Sequence, residues 1–235
     1  SRTGQWPQPS SRRIQTCPCL NYTPQELIAI AIILLIALPV HELAHALTAD
    51  AFGDPTPRSS GRLTINPLKH LDPIGTLLLV LTKGFGWAKP VPINPYALQR
   101  RSSAAVMWVS LAGPLSNLVM AVLAAIPFRL GLVHTFNPLN SAGYWAYNIL
   151  INFIVINLIL MLFNLIPLPP LDGAKVFEYF IPPNWARSYE SIQNYGPIIL
   201  LAIIFLLPFF GINVLSYVLN PVLSALLRIL LGVPA

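Results

Sequence analysis

The chain has 235 residues, of which 55% are apolar and 9% charged, with a mean hydropathy of +0.65; soluble domains carry roughly a quarter charged residues, so an ordinary soluble fold is excluded. A disordered chain would be far more polar, and a disulfide scaffold needs more than Cys17 and Cys19, which flank Pro18 too closely to bridge easily and are read as incidental. The net charge is +6, and no arginine-rich helix with interleaved aromatics accompanies it, so nucleic acid is not an expected partner.

A membrane-crossing helix takes roughly 20 apolar residues, so several fit in this length. Residues 1–24 are rich in Ser, Arg and Pro, lack the apolar stretch of a signal peptide, and are expected to form a flexible polar tail ahead of a membrane-embedded core, residues 25–235. The first span starts at Thr23-Pro24-Gln25-Glu26, with Thr as helix cap, Pro at the first helical position and acid in the first turn, and it ends near Ala51 before Gly53-Asp54-Pro55. Between residues 53 and 101 the pattern changes. The alternation in residues 61–67 and the Pro-punctuated residues 87–95 predict short strands or interfacial loop, and the apolar residues 74–81 are too short to span and predict a re-entrant turn. Two further spans are predicted at residues 103–128 and 145–166. Residues 197–231 are apolar on every face, so periodicity cannot divide them into one kinked helix or two. The fold class is thus an all-α polytopic membrane protein, a bundle of about four to six spans with a short β or re-entrant insertion between the first two.

The first span contains His41-Glu42-Leu43-Ala44-His45. Residues four apart share a helix face, so both imidazoles can address one ion, while Glu42 lies beside them where it can act on a metal-activated water. Ionisable groups inside a membrane helix cost at least roughly 2.5–3.5 kcal/mol each at its centre, and a metal ion supplies the compensating partner. A catalytic zinc site normally takes three protein ligands. Among the remaining candidates Asp172 stands out, because it follows a Pro-rich break after the third span and Gly173 permits a sharp turn behind it. Asp54 and Asp72, each before a proline, read as turn initiators, and His70 and His134 as loop or interface residues.

Together with Phe163-Asn164-Leu165-Ile166-Pro167-Leu168-Pro169-Pro170-Leu171-Asp172-Gly173, the His41–His45 motif resembles the site-2 protease family of intramembrane zinc metalloproteases. The resemblance implies one Zn²⁺ per chain held by His41, His45 and Asp172, with Glu42 as general base and Asn164 in contact with the scissile carbonyl or nearby substrate backbone. It implies a compact member, without a PDZ-like or nucleotide-sensing domain, that cuts peptide bonds in or near the membrane segments of single-span proteins. Gly113-Pro114-Leu115-Ser116-Asn117 is similar to the family's Gly- and Asn-containing core helix, with Asn117 serving either close helix packing or the chemistry. A metal-ion membrane transporter and a catalytically inactive client-binding relative are the alternatives; the first needs a more polar path, and the intact Glu42 argues against the second.

Seven of the 14 basic residues lie between residues 53 and 101, which predicts that this segment is cytosolic and that the site faces the cytosolic side, in a plasma (inner) membrane. Residues 86–94 are expected to offer an edge strand to an unwound substrate.

Overall fold

The computed structural model describes residues 23–82, 86–133, 141–182 and 184–232. Cys17, Cys19, His134 and all but the last two residues of the expected tail lie outside these residues.

Helix α1, Pro24–Ala51, begins as its sequence dictates. Thr23 Oγ1 accepts from the Glu26 amide at 3.2 Å and the Thr23 amide donates to Glu26 Oε2 at 2.7 Å, a reciprocal capping box. A π-helical turn at Ile33–Ala37 precedes Pro39, whose ring donates nothing and crowds the carbonyl four residues back. Next come α2 (Thr56–Ser59), a 3-10 turn (Pro67–Lys69), α3 (Pro73–Thr82) and α4 (Pro95–Arg101). Three longer elements follow: α5 (Ala105–Arg129), α6 (Ser141–Asn164) and, after a short α7 (Asp172–Glu178), α8, which starts at Ala186 and runs through a second π turn at Ala202–Leu206 to Phe209. Again a proline, Pro208, stands just beyond the π turn. Helix α9 (Val214–Leu231) completes the described fold.

Among the described residues, five helices are long and apolar enough to cross a membrane: α1, α5, residues 143–164 of α6, residues 192–209 of α8, and α9. The protein is an all-α, multi-pass integral membrane protein, and the apolar stretch at residues 197–231 divides at residues 210–213 between two helices.

Helix α5 is central, packing against α1, α6 and α7. Its buried face is made of small residues, including Gly113, Ala121 and Ala125, while Leu115, Val119, Leu123 and Ile126 point outward. That is the inversion expected in lipid, where close backbone approach drives helix association and apolar side chains need no burial. Ala121 and Ala125 pack with Ile154, Leu158 and Met161 of α6, and Leu223, Leu227 and Leu230 of α9 cover this cluster. Arg129, at the end of α5, donates its Nε to Leu230 O at 2.9 Å and a terminal nitrogen to Ile229 O. The unpaired carbonyls ending α9 are thereby capped by a cation, and the last turns of α5 and α9 meet at one end of the bundle.

Of the two forms expected for the stretches between α1 and α5, short strands or interfacial loop, the structure shows the loop. Among the described residues it contains no strand, only an isolated antiparallel bridge between Leu71 and Ala88. Pro67, Pro90 and Pro92 carry no amide hydrogen for a ladder, and Arg62 takes its place. The buried guanidinium donates to Lys69 O at 2.5 Å, Lys89 O at 3.2 Å and Pro90 O at 3.4 Å, tying the two extended stretches side by side. Asp54, also fully buried, accepts from the Thr56 amide at 2.9 Å and the Asn94 amide at 2.6 Å. It is therefore a loop clamp as well as a turn initiator. Asp72 does what its sequence predicts, capping α3 through the amides of Ile74 and Gly75. The apolar α3 has ten residues, about 15 Å of helix, and is too short to span.

Candidate metal centre

His41 and His45 lie one turn apart on α1, both buried, with their rings edge to face at 4.7 Å. Each ring is oriented from behind. His45 Nδ1 is 2.6 Å from Val109 O, and because a carbonyl only accepts, Nδ1 carries the hydrogen. His41 Nδ1 donates to Asn117 Oδ1 at 2.9 Å. In neutral rings this leaves both Nε2 atoms with lone pairs, pointing forward to the same place.

The third member arrives from the far end of the chain. The turn at residues 165–171, which contains a cis peptide between Pro169 and Pro170, ends α6 and sets Asp172 at the first position of α7. Gly173 allows α7 to press against the preceding turn: a Cβ there would collide with the carbonyls of Leu165 and Ile166. Its role is close approach within a helix, where the sequence suggested a sharp bend. Asp172 Oδ2 consequently lies 3.2 Å from His41 Nε2 and 3.2 Å from His45 Nε2, and the two Nε2 atoms are 3.0 Å apart. Burial would raise the Asp172 carboxyl, but when the two imidazoles are protonated their donated hydrogen bonds and charge outweigh that and hold it well below the usual carboxylate range.

Three electron-pair donors so close together repel one another unless a positive charge lies among them. Their spacing also suits a small cation, since tetrahedral ligands bound at about 2.0–2.1 Å are roughly 3.3 Å apart. His41, His45 and Asp172 could hold a metal ion, and they form the only such group of three among the described residues. Space for it depends on α5: a Cβ on Gly113 would lie 2.6 Å from His41 Cε1 and nearer still to the His45 ring.

A cavity of about 340 Å³ opens over this group. Glu42 stands in its wall, largely buried, and its Oε2 accepts from the Val91 amide at 3.1 Å. Asn164 also lines it, with its Nδ2 donated to Leu160 O at 2.9 Å. The chain thus brings together all five residues singled out from the sequence. His70 stays apart, fully buried in the loop, with Nε2 donating to Thr64 O at 2.7 Å. Two participants were not assigned from the sequence. Val109 acts through its carbonyl, which no residue type signals, and Val91 through its amide; Asn117 was noticed, but not as the partner of His41.

The match to the model of Peptidase family M50 covers residues 129–207, a stretch holding Asn164 and Asp172. The chain is 42% identical to the protein named "Putative zinc metalloprotease YwhC" of Bacillus subtilis over 87% of its own length and 90% of that relative's. It is also 32% identical to the Rip2 protein of Mycolicibacterium smegmatis, over 72% of this chain and 64% of Rip2. The Rip2 protein of Mycobacterium tuberculosis shares 31% identity over 76% of this chain and 68% of that relative. Both Rip2 proteins carry the same zinc metalloprotease designation as YwhC. No solved structure matches. On the strength of near-full-length similarity to YwhC, the chain belongs to peptidase family M50, the site-2 protease family that its paired motifs resemble.

Proposed function

We propose that this protein is an intramembrane zinc metalloprotease that hydrolyses peptide bonds in or near the membrane-spanning segments of single-span proteins. The observation that carries this is the convergence of three electron-pair donors within 3.2 Å, with the far nitrogen of each imidazole already committed. His41 Nε2, His45 Nε2 and Asp172 Oδ2 hold one Zn²⁺ per chain. When bound, zinc supplies Lewis acidity, activating water as a nucleophile near neutral pH and polarising the scissile carbonyl.

The chain's own residues do the rest. Val91 holds Glu42 by Oε2, so Oε1 is the oxygen that takes the proton from the attacking water and passes it to the leaving amine. Asn164 contacts the scissile carbonyl or the adjoining backbone, exchanging its bond to Leu160 O for one to substrate. The substrate must leave its helix, because helical carbonyls are already hydrogen-bonded and shielded in lipid. Residues 86–94 run along the cavity wall and can receive it. The amides of Lys89, Val91 and Asn94 are engaged by His70, Glu42 and Asp54, however, so strand pairing there rests on the few groups that remain.

Residues 25–235 constitute the protease core, and the basic segment between α1 and α5 faces the cytosol of a plasma (inner) membrane, with the site toward that side. Cysteine labelling that found residues 58–70 outside the cell would overturn this orientation. The activity is tested by metal analysis of the purified chain alongside a cleavage assay on single-span reporter proteins. One zinc per chain is expected, with cleavage that stops on chelation and returns on adding zinc. Zinc-loaded protein that cuts no such reporter would overturn the proposal.

A further inference from the structure

We infer that Ser110 is a substrate-contacting residue, its hydroxyl donating a hydrogen bond to a carbonyl oxygen of the peptide lodged in the cavity; this rests on the protease function proposed above. Ser110 lies on α5 three residues before Gly113 and seven before Asn117, hence on the face turned to the histidines. It lines the cavity together with His41, Glu42 and His45. Its side chain is buried, with 2% of the residue exposed, yet Oγ has no hydrogen-bond partner.

Several other polar side chains in these helices are committed to the helix's own backbone. Thr48, Thr82 and Ser116 donate to carbonyls three or four residues back at 2.7–2.8 Å, and Asn148, Asn152, Asn157 and Asn164 do the same through their amides. Such back-bonding is the default for a hydroxyl in a helix. Four other buried polar atoms among the described residues lack a partner, on His70, Thr76, Asn117 and Asn157, but none of these residues lines the cavity. Ser110 alone combines an uncommitted buried hydroxyl with a position on the cavity wall.

A buried hydroxyl without a partner is costly, so the functional state should supply one. A peptide drawn out of its helix brings carbonyl oxygens that can only accept. The neighbouring neutral donors are occupied, Val91 N–H by Glu42 and Asn164 Nδ2 by Leu160 O. Ser110 Oγ–H has no bond to break, and a peptide that parts the side chains covering it in the cavity wall brings a carbonyl within its reach.

The test uses the purified full chain and a single-span reporter peptide carrying a fluorophore. Ser110→Ala and Ser110→Thr are compared with the parent for zinc content, Tm, kcat and KM. Reporter binding is also followed by fluorescence anisotropy in a Glu42→Gln background, where cleavage does not deplete it. Ser110→Ala should keep parental zinc and Tm while KM and the reporter Kd rise roughly five- to tenfold, the worth of one neutral hydrogen bond. Ser110→Thr, which keeps the hydroxyl, should recover most of that loss. Equal Kd and KM in Ser110→Ala and parent would overturn the inference, and so would a loss that tracks falling zinc content or Tm. If the parent cuts nothing, the protease function fails, while the anisotropy comparison still decides whether Ser110 meets the peptide.

Discussion

The metal centre and the loop between α1 and α5 are both buried polar clusters, but they are built on opposite principles. In the loop every clamp is a donor against an acceptor: Arg62 faces three carbonyls, and Asp54 faces two amides. Each of these two clamps is complete in itself, although His70 Nδ1 in the same loop keeps no partner. In the centre, lone pairs of His41, His45 and Asp172 face one another, while the donors lie behind, on the Nδ1 side. A cluster of acceptors is incomplete, and its incompleteness marks it as a binding site more clearly than the count of polar groups does.

The sharpest way to break this contrast is to exchange carboxylates. Asp172→Ala should reduce zinc to background and abolish cleavage, whereas Asp54→Ala and Asp72→Ala should bind zinc as the parent does, as metal analysis would show. Equal zinc in all three would place the third ligand elsewhere. Next in size is Glu42→Gln, which keeps shape and the Val91 contact but removes the proton acceptor. It should retain zinc and bind substrate while hydrolysis falls by roughly 10²–10⁴-fold. Zinc release would make Glu42 a ligand or a folding determinant, and full activity would remove it from the mechanism. A smaller effect is expected behind the ligands. Asn117→Ala leaves His41 Nδ1 without its acceptor and should weaken zinc binding about 10–100-fold in chelator competition, whereas unchanged affinity would leave Asn117 a packing residue.

The loop side of the comparison is probed by acid. Burial would raise the Asp54 carboxyl, but the amides of Asn94 and Thr56 outweigh it and hold it below the ordinary carboxylate range. A depressed carboxyl adds stability that is full above its unfolded-state value, about 3.9, and is lost as pH falls through the lower folded value. Asp54→Asn should therefore cost roughly 1–3 kcal/mol near neutral pH and should flatten the acid limb below about pH 4. Limited proteolysis of the loop across pH would measure both, and identical profiles for parent and variant would show that the clamp contributes nothing.

Legibility in the sequence followed the same divide. Groups positioned by helix geometry could be read: the Thr23 cap, the His41 and His45 face, and the start of α5 within two residues. Asp172 was legible because Pro and Gly announce the turn that carries it. What escaped were contacts made by backbone atoms, such as Val109 O and Val91 N–H, since any residue type can supply them. Of the strands or interfacial loop expected at residues 61–67 and 87–95, the loop is what forms, for a related reason. Their alternation was real, but prolines remove the donors a ladder needs, and a single guanidinium bridges the gap. In residues 197–212 the near-uniform apolarity hid where one helix ends, although α9 beyond it carries Ser216, Asn220 and Ser224 along one face.

The cap that Arg129 places on α9 also bears on how the protein is assembled. Translation delivers α5 and α6 long before α9, yet the Ala121 and Ile154 cluster between them is covered by α9 leucines. Until α9 is in the bilayer, the face of the α5–α6 pair that carries Ala121, Ala125, Ile154 and Leu158 lacks this cover. The guanidinium at the end of α5 meets the carbonyls that α9 brings, so burial of this cluster is complete only once α9 has been made and docked.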